Sequence, residues 1–483
     1  MNKIKDLASG TFYLTLMQVL QYGVAFIFYV VVARVLSPAE VGCFSLLLMI
    51  MAVFNTLSLL ALNNAVIKYV SENLGRGDEE QALASANKAL KLILASSLPA
   101  LAFGFSISPL IADHLKTGVF EVLSILASAF ILNLTSYYGA LMYGYSMFGK
   151  VSVQNVLYTI STRFSGIFLA LLGLRVLGLS LGFLAGSFLT LLYSLAALKG
   201  KIRHLRHLNG FPSEKLLKFS LPLYGTNLIG LLQSWLDIAV LSSVAGLSSA
   251  GTYYIAVSSV TVLSILWQPL SSALFPTLSW INGSGGINEV FELNKKVLRI
   301  VTAVILPLSV ALASASKTAL SAVYGSRYAE ASFSFTVLAL SAILSAYASV
   351  YNVELQSTGR TKPIFKAGLA STAVYMLLLS TAVLIGQIGA ALARAAMIAV
   401  GFSVLYFEAG VKVPDNLKRC ILVAAFLASA LIPIELFLRA DLYFKASIEV
   451  LAFATVLSAA FKLLKPLGRD EMKLIKLPLS WIK

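Results

Sequence analysis

Charged residues are scarce in this sequence, because Lys, Arg, Asp and Glu make up only 12% of its 483 residues. An average soluble domain carries about twice that share. Only 21 residues are acidic, three are histidine and two are cysteine. Cys43 and Cys420 lie far apart without the spacing of metal ligands, so neither a disulfide framework nor a metal site is predicted. No P-loop is present either, so ATP is not expected as the direct energy source.

Apolar residues are abundant. They form 58% of the chain, and the mean hydropathy is +0.86. This composition excludes a soluble enzyme, a nucleic-acid-binding domain and a disordered chain. The formal net charge of +16 is explained by the Lys and Arg that collect in cytoplasmic loops of membrane proteins. Membrane lipid is therefore a predicted partner, and nucleic acid is not.

A membrane span needs roughly 20 apolar residues, and the sequence offers about fourteen such stretches. The first, at about 10–34, is too long for a cleaved signal peptide and is interpreted as a retained span. Of the 37 Lys and Arg residues, 28 fall in predicted inside segments and 7 in outside segments when the N-terminus is cytoplasmic. This asymmetry predicts an all-α integral membrane protein with both termini in the cytoplasm.

The chain also repeats itself at an offset of 208 residues. Leu90, Lys91 and Pro99 in the third span match Leu298, Arg299 and Pro307 in the ninth. Near the same offset, the Val41-Gly42 pair resembles Ala250-Gly251. Two six-helix lobes are predicted, related by a pseudo-two-fold axis along the membrane normal, as in alternating-access transporters. The predicted divisions are 1–210 and 211–410 for the lobes and 411–483 for two extra transmembrane helices and a tail.

Two motifs resemble a known family. The run from Ala33 to Gly42, ARVLSPAEVG, is similar to the ARxLGPxxYG signature of polysaccharide flippases, with Ser37 in place of the usual Gly and Val41 in place of an aromatic residue. The run from Lys68 to Asp78 resembles the same family's loop between the second and third spans. The resemblance is to the O-antigen-type and lipid II-type flippases of the multidrug/oligosaccharidyl-lipid/polysaccharide exporter superfamily. It implies twelve core helices in two lobes, often two more, and transport of a polyprenyl-linked saccharide.

Ionisable side chains inside a span cost about 2.5–3.5 kcal/mol each on insertion scales, so each is a candidate site residue. Arg163 in the fifth span is the leading one, because a guanidinium presents a planar fork of donors to a diphosphate. Snorkelling, or pairing within one lobe, would also explain it. Asp237 in the seventh span is either a partner for an interfacial arginine such as Arg34 or a cavity residue. Arg394 and Glu354 have local or interfacial explanations beside a substrate-binding one.

Uncharged polar residues within the spans form a second set of candidates. Most are amides in the first two spans of each half, where they would either hydrogen-bond sugar hydroxyls or join helices at about 0.6 kcal/mol per bond. The set is Gln18, Gln21, Asn63, Asn64, Asn133, Gln233, Gln268, Tyr351 and Asn352. The run Trp267–Pro269 places a proline beside a polar side chain, which predicts a bend suited to a gate.

The sequence therefore predicts a flippase, not an enzyme, that moves a polyprenyl-diphosphate-linked saccharide from the inner to the outer leaflet of the plasma membrane. No cofactor is expected; Na⁺ or H⁺ is the candidate coupling ion, and a glycan polymerase or glycosyltransferases are candidate partners. An organic-cation exporter coupled to Na⁺ or H⁺ remains the alternative, although Asp237 alone qualifies well as its buried carboxylate. A membrane glycosyltransferase is disfavoured, because the predicted outer loops are short and poor in carboxylates.

Overall fold

The structure is a computed structural model that describes residues 2–200, 210–283 and 286–468. His204 and His207, much of the predicted cytoplasmic segment 199–218 and the tail from residue 469 lie outside the described residues. Within them the regular structure is entirely helical. In chain order the α-helices are α1 (Asn2–Val35), α2 (Pro38–Leu59), α3 (Leu62–Gly75), α4 (Glu79–Leu115), α5 (Val119–Gly144), α6 (Phe148–Leu169), α7 (Arg175–Ala197), α8 (Ser213–Val262), α9 (Gln268–Gly283), α10 (Ile287–Ser314), α11 (Ser316–Tyr324), α12 (Ser332–Ser357), α13 (Lys362–Leu378), α14 (Thr381–Glu408), α15 (Leu417–Phe437) and α16 (Leu442–Leu464).

Ten helical segments in the described chain are long and apolar enough to cross a membrane. Two of them have 50 and 54 residues, and at about 1.5 Å per residue each is over twice as long as the hydrocarbon core is thick. A glycine with positive φ interrupts each one: Gly173 (φ 94°) between α6 and α7, and Gly246 (φ 82°) within α8. The apolar part of α1, Val19–Val35, and α13 are shorter. Because some spans are joined into one long helix and others are short, the ten segments counted here are fewer than the fourteen spans predicted from hydropathy. The number fourteen stays a prediction.

The chain forms two compact units, Met1–Gly251 and Thr252–Lys483. The core of the first is built by α3, α4 and α5, where the fully buried Tyr137 hydroxyl donates to the Ala86 carbonyl oxygen at 3.1 Å. The core of the second contains aromatic rings of α12 and α14, with Tyr351 stacked on Phe402 at 6.1 Å between ring centroids. The lobe boundary predicted at residue 210 remains a prediction.

Small residues let α6 and α7 pack as a close antiparallel hairpin. Gly178, Gly182 and Gly186 recur every four residues along one face of α7. A Cβ atom at Gly182 would lie 2.2 Å from the Gly166 Cα atom of α6. The Ser165 hydroxyl donates to the Gly182 carbonyl oxygen at 3.0 Å. This is the small-xxx-small packing that drives helix association in lipid, where the hydrophobic effect supplies little.

Ser37, which replaces the usual Gly of the flippase signature, has a structural role at the start of α2. Ser37 is the N-cap of α2 and forms a capping box with Glu40, whose carboxylate accepts from the Ser37 backbone N–H at 2.8 Å. Such a box satisfies two amide donors that a helix start otherwise leaves unpaired. The same Glu40 carboxylate accepts two guanidinium hydrogen bonds from Arg175 at the start of α7.

Two glycines allow α2 to cross the segment that follows the Gly246 interruption at very short range. A Cβ atom at Gly42 would lie 1.9 Å from the Leu247 carbonyl oxygen, and one at Gly251 would lie 1.9 Å from the Pro38 carbonyl oxygen. Real Cβ atoms do not approach oxygen so closely, so backbone meets backbone here. Gly42 and Gly251 are also the two glycines that the internal repeat pairs with each other.

Ion pairs join elements of the second unit at exposed positions. Arg299 of α10 makes a two-pronged contact with Asp415, which precedes α15. The Arg299 guanidinium lowers the pKa of the Asp415 carboxyl below its ordinary value. Arg360 and Glu408 form a second pair at 3.3 Å. Exposed pairs of this kind contribute about 0–1 kcal/mol each, so they orient connections rather than stabilise the core.

Candidate functional site

The second span of the chain is interrupted between α2 and α3. Leu60 (φ 52°) and Ala61 (φ 55°) occupy the left-handed region in succession. Residues with a side chain pay about 1–2 kcal/mol each for that conformation, and strain of this size persists at functional sites where the surrounding structure holds it in place. The interruption also releases backbone groups from the helix within an apolar segment.

Polar side chains of α2, α4 and α5 form a hydrogen-bonded cluster at the interruption, and one of them satisfies the backbone carbonyl of Ser58. The Ser96 hydroxyl donates to the Ser58 carbonyl oxygen at 2.6 Å. The Asn133 amide donates to the Ser58 hydroxyl at 2.7 Å and to the Ser97 hydroxyl at 3.1 Å. Asn133 is 1% exposed. It therefore joins three helices behind the break and positions it.

A polar cavity of about 380 Å³ opens at this break. Most of its lining residues carry amides or hydroxyls, and the described lining contains no ionisable side chain. The lining residues are Asn55, Thr56, Leu59, Ala61, Asn63, Thr226, Asn227, Gly230 and Ser234. The Oδ1 atoms of Asn55 and Asn63 are buried and accept no hydrogen bond. We call this space the amide cavity.

A second interruption lies in the second unit, between α8 and α9. The chain leaves α8 at Val262, makes a 3₁₀ turn over Leu263–Leu266 and begins α9 at Gln268. This turn lies directly before the run Trp267–Pro269, where the sequence predicts a bend, and the role of that run as a gate stays a prediction. Adding the repeat offset of 208 to Leu60 gives Gln268, the residue directly after the second break, so the two breaks occupy closely corresponding positions. Interrupted helices in corresponding positions of two halves are a strong sequence-level indicator of a transporter's binding site.

A cavity of about 190 Å³ lies at this second break. It combines one guanidinium with several hydroxyls on an otherwise apolar wall. Its lining residues are Val257, Val260, Thr261, Ser264, Trp267, Leu338, Ser341, Ala342, Ser345, Arg394 and Ile398. The Ser264 hydroxyl is buried and has no hydrogen-bond partner. We call this space the arginine cavity.

Comparison with known families decides what kind of protein has this arrangement. A family model described as polysaccharide biosynthesis protein matches residues 31–333, which is well over half of the chain and includes both breaks. The chain belongs to this family. The resemblance drawn from the ARVLSPAEVG run is thereby confirmed.

Several relatives of this polysaccharide biosynthesis protein have names or solved structures. The probable low-salt glycan biosynthesis flippase Agl15 of Haloferax volcanii is 24% identical over 399 residues, 82% of each chain. The lipid II flippase MurJ in an inward closed conformation has a TM-score of 0.75 at 17% identity, covering 93% of this chain and 98% of that one. An inward-facing MATE family transporter of the MOP superfamily has a TM-score of 0.63 at 15% identity, covering 81% and 94%. These likenesses confirm the predicted all-α, multi-pass membrane fold.

The leading charged candidate of the sequence lies away from both cavities of this family member. Arg163 of α6 is half-buried, and its guanidinium carbon lies 5.8 Å from the centre of the Phe28 ring of α1. Its Nε atom is buried without a hydrogen-bond partner. This placement is that of a cation packed between α1 and α6, and a substrate role for Arg163 stays an untested prediction.

The other candidates of the first unit are spread over several helices. Asp237 of α8 is fully buried, whereas Arg34 at the end of α1 is exposed. Both take part in polar or electrostatic contacts, as does Gln233. The candidates that are half-buried and line neither cavity are Gln21, Asn64 and Gln233. The side chain of Gln18 lies outside the described part of the chain.

The predicted residues of α12 belong to the core of the second unit. Glu354 is 1% exposed and accepts from the Asn294 amide at 2.5 Å and the Gly410 backbone N–H at 2.6 Å. These two donors hold the carboxylate inside the protein. Both the interfacial and the substrate-binding explanation of Glu354 stay predictions. Tyr351 is fully buried, and Asn352 is half-buried with a buried Oδ1 atom that accepts no bond. Gln268 begins α9 at the second break.

The amide cavity also contains residues that the sequence interpretation missed. Asn55 lies in the middle of the second span, and Asn227 lies in the seventh. Asn55 precedes Asn63 by eight residues, a spacing that places both on one face of a regular helix. This spacing is the feature of the sequence that could have identified Asn55 as a companion of Asn63. The helix is broken at Leu60–Ala61, however, so regular helical geometry alone does not explain why both residues line the same cavity.

Proposed function

We propose that this protein is a flippase that moves a polyprenyl-diphosphate-linked saccharide across the membrane by alternating access. The observation that supports this most directly is the pair of interrupted helices at corresponding repeat positions, each beside a cavity that contains polar side chains. Irregular backbone at membrane depth is tolerated only where it is buried in protein or lines a water-filled cavity, and transporters typically form their substrate sites from such discontinuous helices. Two of the similar proteins, the probable glycan biosynthesis flippase Agl15 and the lipid II flippase MurJ, are flippases of the same general kind.

The amide cavity suits the saccharide part of such a substrate. Amides and hydroxyls both donate and accept hydrogen bonds, as sugar hydroxyls do. The buried Oδ1 atoms of Asn55 and Asn63 are acceptors without a partner in the protein, and a buried acceptor left unpaired costs about 1–3 kcal/mol. A sugar hydroxyl that donates to either atom removes that cost. The neutral lining favours an uncharged sugar.

Transport by an Asn63→Leu variant tests this assignment. We expect flipping of a fluorescent polyprenyl-diphosphate saccharide in proteoliposomes to fall about tenfold, because a sugar hydroxyl loses its acceptor. Asn64→Leu is the matched control: the same change at the next residue, which does not line the cavity, leaves transport near the unaltered rate. Equal transport by both variants would remove the amide cavity from the substrate path.

Proteoliposomes that contain the protein also separate the proposed flippase function from its alternatives, when cation efflux and substrate cleavage are measured beside flipping. Efflux of an organic cation without flipping would favour an exporter of the MATE type, whose fold the chain shares. Cleavage of the lipid-linked saccharide would indicate an enzyme. Na⁺ or H⁺ as the coupling ion, and a glycan polymerase or glycosyltransferases as partners, belong to this proposal and are tested by imposing ion gradients and by co-purification.

We propose that the protein lies in the plasma membrane, with both termini and the α3–α4 connection in the cytoplasm. The support is the excess of Lys and Arg in those segments. In a variant without Cys43 and Cys420, a cysteine at His114 near the end of α4 should react with an impermeant maleimide added to intact cells. A cysteine at Arg76 between α3 and α4 should react only after the membrane is opened. The reverse pattern would invert the orientation.

A further inference from the structure

A buried charged cluster lies where the two C-terminal helices meet α11. Glu435 of α15 accepts from the Thr318 backbone N–H of α11 at 3.1 Å and also from the Thr318 hydroxyl. Lys445 of α16 forms an ion pair with Glu435 at 2.9 Å, and its ammonium group donates to the Glu435 carbonyl oxygen at 2.6 Å. The Lys445 and Glu435 side chains are only 14% and 11% exposed. Glu435 therefore fastens α15 both to α11 and to α16.

Glu449 of α16 brings a second carboxyl group to the same place. It follows Lys445 by one turn of the helix, and it is 5% exposed. Its carboxyl group faces that of Glu435. Its Oε1 atom is buried and has no hydrogen-bond partner among the described residues. Two carboxyl groups thus lie beside one ammonium group. We call Thr318, Glu435, Lys445 and Glu449 the carboxyl cluster.

The charges of the carboxyl cluster do not balance when both carboxyl groups are ionised. Among the described side chains, the charged groups that act on Glu449 are Glu435 of α15 and Lys445 of α16. The third element, α11, contributes the uncharged Thr318, and its Lys317 is exposed. One ammonium group therefore compensates two carboxylates, and a buried charge without a partner is costly. Two neighbouring carboxyl groups avoid this cost by sharing one proton.

We propose that the carboxyl cluster is a proton-binding site, in which Glu449 holds the proton and donates it in a hydrogen bond to Glu435. The bound proton leaves one carboxylate for one ammonium group. It also turns a contact between two acceptors into a contact between a donor and an acceptor. No member of the cluster lines the amide cavity or the arginine cavity. The site is therefore separate from the proposed substrate path, and when occupied it holds α15 and α16 against α11.

The proton enters from the outer side in the orientation proposed above. The connection between α15 and α16 is then outside the cell, and its residues Arg439 and Asp441 are exposed. Glu449 lies roughly 10 Å beyond the start of α16, at about 1.5 Å per residue. A rise of the outer pH removes the proton, sets the two carboxylates against each other and loosens the junction. This inference does not depend on what the protein transports.

The unfolding temperature of the full-length protein in detergent tests the proposal. The unaltered protein should unfold a few degrees lower at about pH 8 than at about pH 6, because the folded cluster keeps a proton that the unfolded chain releases. Glu449→Gln carries a permanent amide donor in place of the proton, so it should lose most of this pH dependence. Glu408→Gln alters an exposed ion pair with Arg360 and should keep the pH dependence of the unaltered protein.

Infrared spectra detect the proton directly. At about pH 6 the unaltered protein should show a carbonyl band of protonated carboxylic acid that Glu449→Gln lacks, since exposed carboxyl groups are ionised at that pH. Glu449→Leu also removes the second carboxylate and should be equally insensitive to pH, so a folding defect of one variant does not decide the test. Equal pH dependence in all variants, or an unchanged band, would overturn the proposal. Stabilisation by Na⁺ that Glu449→Gln abolishes would assign the site to a metal cation and overturn it too.

Discussion

Replacement of Gly42 by Val should open the close crossing between α2 and the chain that follows Gly246. The new Cβ atom would meet the Leu247 carbonyl oxygen at 1.9 Å, and a backbone atom cannot rotate away as a side chain can. Overpacking of this kind costs about 1–3 kcal/mol. We expect a lower unfolding temperature and the exposure of Cys43, the adjacent residue, which is 5% exposed in the intact protein.

Cys43 is itself the reporter for this prediction. With Cys420 replaced by Ala, maleimide labelling of the purified protein should be slow, and the Gly42→Val change should raise its rate several-fold. Gly225→Val is the control, because a Cβ atom at Gly225 meets nothing within 4 Å. Unaltered labelling and stability in Gly42→Val would mean that the crossing is looser in solution than these distances indicate.

Loss of the Glu354 carboxylate should be the most damaging single change in the second unit. Glu354→Ala leaves the buried Asn294 amide and the Gly410 N–H without their acceptor. Each stranded buried donor costs about 1–3 kcal/mol, so the two effects together approach the whole stability of many domains. We expect little folded protein, measured as the monodisperse fraction and the unfolding temperature in detergent.

Two further variants test whether the buried hydrogen bonds of Glu354 cause the expected loss of stability. Glu354→Gln retains one carbonyl oxygen as an acceptor and should lose only part of the stability. Glu408→Ala removes a carboxylate from the exposed ion pair with Arg360 and should change stability by about 0.5 kcal/mol or less. If Glu354→Ala unfolds at the temperature of Glu408→Ala, the buried bonds of Glu354 contribute no more than a surface pair.

The membrane fold was predictable because its signals are additive over long segments. Hydropathy accumulates over a whole span, and the excess of basic residues accumulates over several loops. An irregular turn near Pro269 was also predictable, since proline removes a backbone donor, and the 3₁₀ turn over Leu263–Leu266 lies just before this proline. The break at Leu60–Ala61 was not predictable. Leucine and alanine rarely adopt positive φ, so the conformation at this break is determined by the packing of the surrounding helices. No residue near the break is of a type that predicts it.

The site was less predictable than the fold because identical side chains serve different purposes. Asn63 lines the amide cavity, whereas Asn133 joins helices behind it. Both are asparagines within apolar runs, and only the positions of their neighbours distinguish them. The same holds for Arg163, packed on an aromatic ring, and Arg394, which faces a cavity. A single sequence identifies such residues as unusual without showing what each one contacts.

The corresponding positions of the two breaks have an evolutionary meaning. A chain that arose by duplication of a six-span ancestor would inherit the interruption in both copies, whereas two independent origins at the same offset would be a coincidence. The ancestor would then have assembled as a pair of identical subunits, each with the same incomplete helix. Asparagines at one break and an arginine at the other are changes that became available only after fusion, when each copy was free to specialise.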